Sequence, residues 1–459
     1  MKLAPYPDYK DSGVLWLGKI PAHWDVKPGM AFISQRKEKN VGMKESTVLS
    51  LSYGQIVIKP LEKLHGLVPE SFETYQIADP GNIIIRGTDL QNDKTSLRVG
   101  KVRNRGIITS AYLCLQTNEK INPDYAHLLL HGYDLMKIYY GMGSGLRQNL
   151  DFSDFKRLPV LVPSPTEQSK IHKYVESVHA QINKFIRNKR RLIELLKEQK
   201  QNIINQAVTR GLDPKVKLKP SGVEWIGDIP EHWEAIKLRN LLKPVSSRNR
   251  PDLPLLSVVR EKGVIVRDVD DLEGNHNFIP DDLSNYRVVL KGQFAMNKMK
   301  AWQGSYGVSD FDGIVSPAYF VFEMLGKVQP EFFHLAIRSK TYVPFFIKAS
   351  DGVRIGQWDL SIPRMKEIPF FIPSPEEQGE IVGFVREQHS AIDQTITRAE
   401  REIELMREYR TRLISDVVTG QVDVRNVKCE GGSLNEDEFE DIEEVEEEIE
   451  LPEGGEDDE

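Results

Sequence analysis

Apolar residues recur in steps of three and four along two long stretches of the chain and in short runs elsewhere. The first stretch carries Ile171, Val175, Val178, Ile182 and Phe185, then Leu192, Leu196 and Ile203, with Lys189 and Gln199 interrupting the stripe. The second carries Ile381, Val385, Ile392, Ile396, Ala399, Ile403, Met406, Leu413 and Val417. This spacing gathers apolar side chains on one narrow helical face and predicts two stripes of coiled-coil type. Both stretches open on Pro-Ser-Pro-x-Glu-Gln. Ser164 is placed to cap, Pro165 to occupy the first helical position and Glu167 to complete a capping box, with Ser374, Pro375 and Glu377 in the same roles. Glycine stops at Gly211 and Gly420 give helices of about 42 residues, rods of roughly 60 Å at 1.5 Å per residue. A stripe that long exceeds any one globular core. The two rods are therefore expected to pack on each other, antiparallel, with the globular parts at opposite ends.

Residues 1–160 and 214–370 read as short β-rich runs with helical patches such as Tyr125 to Tyr140. The runs are VLSLSYGQIVI, GNIIIRG and GIITSAYLCLQ in one segment, and PLLSVV, GVIVRDV, YRVVL and YFVFEM in the other. Each segment is expected to be a compact α+β module. The two are halves of a repeat. SGVLWLGKIPAHW (Ser12 to Trp24) returns as SGVEWIGDIPEHW (Ser221 to Trp233), 209 residues on, with nine of thirteen positions identical. LPVLVPSPTEQSKI (Leu158 to Ile171) returns as IPFFIPSPEEQGEI (Ile368 to Ile381) at an offset of 210. Weaker echoes lie between them: GIITSAY with GIVSPAY, and GLR (145–147) with GVR (352–354). The unit is about 210 residues, present twice, and its helices repeat far more closely than its modules.

Composition narrows the chemistry. No run approaches the roughly 18 apolar residues needed to cross a bilayer, and the start has no signal-peptide core, which predicts a cytoplasmic protein with no membrane partner. Cys114 and Cys429 are the only cysteines and the histidines lack ligand spacing, so no disulfide framework and no structural metal are expected. The net charge of −7 hides a division: residues 430–459 hold 17 acidic and no basic residues. The first 429 residues carry 61 basic against 51 acidic groups, a net of +10. A basic body suits a polyanion such as DNA. The tail reads as a solvated disordered extension that could compete with DNA for the basic surface.

The order of SGV-x-W-x-G-x-IP-x-HW module, PSP-x-EQ helix, second module and second helix resembles the DNA specificity subunit of type I restriction-modification enzymes. The resemblance covers residues 1 to about 425. It implies an α+β protein with a pseudo-twofold repeat: target recognition domains at 1–160 and 214–370, long antiparallel coiled-coil spacer helices at 161–213 and 371–425, and an acidic disordered tail at 426–459. Each recognition domain would read half of a bipartite, asymmetric site in double-stranded DNA. Partners would be two methyltransferase subunits and, where present, restriction subunits. No cofactor would bind this chain: S-adenosylmethionine belongs to the methyltransferase subunits, ATP and magnesium to the restriction subunit. The chain would be a non-catalytic subunit. The alternative from another class is a coiled-coil adaptor whose modules bind proteins.

Catalytic motifs are weak. Asn122-Pro123-Asp124-Tyr125 is similar to an amino-methyltransferase box, but its third residue is Asp and the matching Gln329-Pro330-Glu331-Phe332 favours a helix start. Pro7-Asp8-Tyr9-Lys10 imitates a nuclease Asp-x-Lys without a partner carboxylate. Gly141-Met-Gly-Ser-Gly145 lacks a P-loop lysine. His23 and His232 have no evident nucleophile or metal partner and read as structural, and the doubled tryptophans as anchors. Lys189, Arg190 and Arg191 read as a solvated face of the rod.

Base reading needs Arg for guanine and Asn or Gln for adenine, whereas Lys and Arg on phosphates position the protein. Two loops have that mixture. One offers Arg86, Gln91, Asn92, Lys94, Arg98, Arg103 and Arg105; the other offers Asn297, Lys298, Lys300, Trp302 and Gln303. Arg147 and Gln148 after the first glycine turn, and Arg354 and Gln357 after the second, complete the DNA-binding candidates.

Overall fold

A computed structural model of the chain describes residues 3–60, 71–93, 96–142, 149–268, 279–280, 282–326, 328–352 and 358–427. The acidic tail and the candidates Lys94, Arg147, Gln148, Arg354 and Gln357 lie outside the described residues. The chain divides into two compact units, one of Met1–Asn188 and Arg401–Leu451, the other of Lys189–Glu400 and Pro452–Glu459. Each unit joins one module to the start of one long helix and the end of the other.

In the first unit, strands β1 (Ile33–Arg36), β2 (Ile83–Ile85), β3 (Val99–Lys101) and β4 (Leu113–Thr117) form an antiparallel sheet of order β1-β4-β2-β3, followed by helix α1 (Pro123–Leu135) and the long helix α2 (Pro165–Arg210). In the second unit, β5 (Leu242–Val245), β6 (Phe294–Asn297), β7 (Tyr306–Val308) and β8 (Tyr319–Met324) form a sheet of order β5-β8-β6-β7. Helices α3 (Pro330–Ile337), α4 (Val343–Ala349) and the long α5 (Pro375–Val418) follow. The two sheets thus share one topology. Ile83–Ile85 and Phe294–Met296 in their central strands are apolar at every position because both faces are covered. Ile83 and Ile85 face one core and Ile84 another, as Phe294 and Met296 do relative to Ala295. The Asn-Pro-Asp-Tyr motif is a helix start: the Asn122 side chain accepts from the Asp124 and Tyr125 amides, and Pro123 opens α1.

The long helices run 46 and 44 residues. In the first unit Ile171, Tyr174 and Val175 share a core with Leu413, Ile414, Val417 and Val418. In the second, Ala207 and Val208 share one with Ile381, Val382 and Val385. The start of each helix meets the end of the other, so the pair is antiparallel. Leu192 departs from the expected stripe: it is 37% exposed, while Ile186, off the stripe, is buried. A straight helix drifts about 20° per heptad against a 3.5-residue period, which carries the buried face onto neighbouring positions.

The capping-box expectation for Glu167 is half met. Its amide donates to the Ser164 hydroxyl, but its carboxylate is taken by the repeated phrase: the Trp24 indole N–H donates to Oε1 at 3.1 Å, Tyr6 Oη at 2.8 Å, and His23 Nε2 lies 2.9 Å from Oε2. Glu377 receives Trp233 at 3.1 Å and His232 at 2.8 Å in the same way. The adjacent glutamines clamp the short helices, Gln168 Oε1 accepting from the Asn122 amide and Gln378 Oε1 from the Gln329 amide, both at 2.8 Å. Each Glu-Gln pair therefore latches the module's entrance and its helix to the start of a long helix. The helix stops complete the latch. Gly420 has φ of +76°, and a Cβ there would stand 2.3 Å from Pro21 Cδ; Gly211, φ +72°, faces Glu377 Oε1 at 3.0 Å.

Candidate nucleic-acid interface

The two loops chosen from sequence occupy one topological position. Residues 86–98 connect β2 to β3, and residues 298–305 connect β6 to β7. Each is tied by the same bond to a later residue of its own module: the Leu150 amide donates to the Gly87 carbonyl at 2.7 Å, the Leu360 amide to the Lys298 carbonyl at 3.1 Å. In the first module Asn149 Oδ1 also accepts from the Asp89 amide at 3.0 Å. Gly87 permits the approach, since a Cβ there would stand 2.7 Å from the Leu150 carbonyl oxygen. In the second module Ser350–Asp351 pairs with Asp359–Leu360.

Within the first loop Gln91 and Asn92 are exposed, and Asn92 Nδ2 donates to Asp89 Oδ1 at 2.8 Å. Arg86 is half-buried, with Nη2 3.0 Å from Asp93 Oδ2. Burial opposes ionisation of Asp93, but hydrogen bonds from Ser96 and the charges of Arg86 and Arg98 outweigh it and hold its carboxyl below the usual range. Arg98 contradicts the expectation of a DNA contact. It is fully buried and spends its guanidinium on loop carbonyls and Tyr140. Arg103 and Arg105 are exposed but follow β3, at the far end of the strands from the loop, where Arg105 meets Asp79 at 2.6 Å and Glu45 at 3.6 Å. The structure does not bring them to the other candidates.

In the second loop Lys300 is exposed, Gln303 is partly so, and Lys298 pairs with Asp359. Trp302 packs on Trp358 with ring centroids 5.2 Å apart. Its indole N–H is buried without a hydrogen-bond partner among the described residues. Asn297, like Arg98, turns inward: it is 9% exposed, accepts from the Met299 amide and donates to Tyr319 Oη. Sequence reasoning missed Asp93, Tyr140, Trp358 and Asp359. Trp358 was signalled only by standing just past the second glycine turn. Among the described residues the two loops offer guanidinium, amide, ammonium and indole groups at one end of each sheet, groups of the kind that contact bases and phosphates.

Among curated proteins, the chain is 23% identical over 346 residues to the type I restriction enzyme MjaVIII specificity subunit of Methanocaldococcus jannaschii, spanning 70% of this chain and 76% of that protein. The chain is similar to type I specificity subunits over most of its length. The putative type I restriction enzyme MjaX specificity subunit of the same organism is 22% identical over 237 residues, 49% of this chain and 54% of that one. No protein-family model matches. Two solved structures share the fold of this chain. One, from work on complex assembly and conformational transition of the type I R-M system, has a TM-score of 0.60 at 10% identity over 88% of this chain and 99% of that one. The other, the HsdS subunit from Thermoanaerobacter tengcongensis, has a TM-score of 0.50 at 12% identity over 88% and 98%. No helix among the described residues is long and apolar enough to cross a membrane.

Proposed function

We propose that this specificity subunit reads a bipartite, asymmetric site in double-stranded DNA, one half per module, within a complex containing methyltransferase subunits and, where the system restricts, restriction subunits. The observation that carries the reading is the duplication of one loop position on one sheet topology, tied down by an equivalent bond in each module, with different side chains. Arg86, Gln91 and Asn92 are presented in the first module, and Lys298, Lys300, Trp302 and Gln303 in the second. A common frame with two sets of polar groups suits two different DNA words. The net charge of +10 over residues 1–429 suits the backbone that both words share.

In this reading the chain catalyses nothing itself and acts in the cytoplasm. The partner methyltransferase binds S-adenosylmethionine and transfers the methyl group, and ATP and magnesium serve the restriction subunit. The test is to express the chain with its modification subunit and map methylated adenines across a genome. A motif of two short words separated by a fixed gap is expected. A complex that assembles and methylates without any bipartite motif contradicts the reading, and binding to duplex DNA that barely changes with salt favours a protein adaptor.

A further inference from the structure

We propose that Arg98 is the template on which the first reading loop is folded, a positioning residue for the half-site read by the first module rather than a group that touches DNA. The inference rests on the DNA-reading function above. A guanidinium has five N–H donors, and at Arg98 all five have protein acceptors. Nε donates to Tyr140 Oη at 3.2 Å; Nη1 donates to the Arg86 and Thr88 carbonyls at 3.2 and 2.7 Å; Nη2 donates to the Asp89 and Asp93 carbonyls at 3.3 and 2.5 Å. None is left for a phosphate or a base. The side chain is fully buried, so the loop wraps around it.

Turning four carbonyls inward fixes the outward aim of the loop's side chains. Gln91 and Asn92 stand exposed on the wrapped segment, and Arg86, whose own carbonyl is one of the four, is steered by Asp93. Two further bonds extend the template. The Arg98 amide donates to Asp134 Oδ2 on α1, anchoring the loop's return to the helix. Tyr140 Oη accepts from Arg98 and donates to the Asp93 carbonyl at 3.1 Å, and Tyr140 immediately precedes the first glycine turn. Arg98 thus ties the loop to Tyr140 and to α1. Lysine, with three donors on a flexible stem, cannot span these acceptors. The second module shapes its shorter loop differently, through Trp302 on Trp358 and Lys298 on Asp359.

The test uses the full chain assembled with its modification subunits and compares Arg98→Met, Arg98→Lys, Tyr140→Phe and Arg86→Gln by methylome mapping and by methylation kinetics on cognate DNA. Both Arg98 variants are expected to lower discrimination about tenfold or more at two or more adjacent base pairs of one half-site, leaving the other half-site intact. On cognate DNA, KM should rise with kcat unchanged, because methyl transfer happens on another subunit. Tyr140→Phe should blur the same positions more weakly, and Arg86→Gln a single position. The proposal is overturned if folded Arg98→Lys and Tyr140→Phe complexes keep the wild-type motif, if only one base pair is affected as for a direct contact, or if kcat falls with KM unchanged. If Arg98→Met does not fold, Arg98→Lys and Tyr140→Phe decide. A wild-type complex with no bipartite motif fails the DNA-reading function itself, a separate outcome.

Discussion

The entrances of the two modules and the loops proposed to read DNA differ in opposite ways. At the entrances the same side chains make the same bonds twice: Trp24 and His23 on Glu167, Trp233 and His232 on Glu377. At the loops the frame repeats but its filling does not. The first is built around a buried arginine; the second around a tryptophan pair and an ion pair at its edge. A latch has to hold any module to the helices, so its chemistry is independent of what is read. A loop has to differ wherever the word differs, and two solutions to the same closure problem show that the sheet end tolerates either.

The comparison can be broken first at the latches. Glu167 is 3% exposed and serves three donors, whereas the Glu377 side chain is 21% exposed and has two. Glu167→Ala should cost about 3–4 kcal/mol, because it leaves buried donors unpaired, and Glu377→Ala about half that. Chemical denaturation followed by hydrogen exchange in each unit measures both. Equal losses would mean the latches are equivalent despite their different burial. Next in size is the helix stop. Gly420→Ala combines a left-handed backbone with a collision against Pro21 and should cost roughly 2–3 kcal/mol; Gly211→Ala, whose nearest neighbour would be Glu377 Oε1 at 3.0 Å, roughly 1 kcal/mol.

Acid should separate the units as well. Burial, reinforced by neighbouring charges, holds three histidines of the first unit below the ordinary value: His127 well below it, His131 at about 4 and His179 at about 3. The second unit has His334 at about 4 and a smaller depression at His389. A depressed histidine binds its proton more readily in the unfolded chain, so its stability contribution is complete above about pH 6.5 and is lost as pH falls toward 4. Burial raises the carboxyl of Asp134, which works in the opposite sense, one group against three. Amide protection, corrected for intrinsic exchange, should therefore fall earlier in α1 than in α3 between pH 7 and pH 4.5. Simultaneous loss would contradict this asymmetry.

Smaller effects belong to recognition. Trp302→Ala should reduce discrimination in the half-site of the second module by about 1–3 kcal/mol and leave the other half-site unchanged, as methylome mapping would show. Arg105→Ala should change base preference by less than about 0.5 kcal/mol in binding to variant sites, because the residue lies at the wrong end of the strands.

The fold was legible where a pattern is local or repeated. Spacing revealed the long helices, and runs such as GNIIIRG and YFVFEM revealed buried strands. Mixed polarity singled out two loops, which the structure sets at one place in the two sheets. What remained hidden was direction. Arg98 and Gln91 look equally available in sequence, and only the carbonyls that the loop turns inward decide that one is spent inside. Glu167 fits a capping box by its spacing from Ser164, yet its carboxylate binds Trp24, 143 residues away in sequence, a competition that no local window contains. Leu192 was placed by an ideal heptad that a real helix does not keep.

The central claim, two independent readers on one latched frame, is tested most directly by exchanging residues 1–160 for the first module of another specificity subunit and mapping methylated adenines with the same modification subunits. The account predicts that one word of the bipartite motif changes while the other word is retained. A change in both words would contradict it.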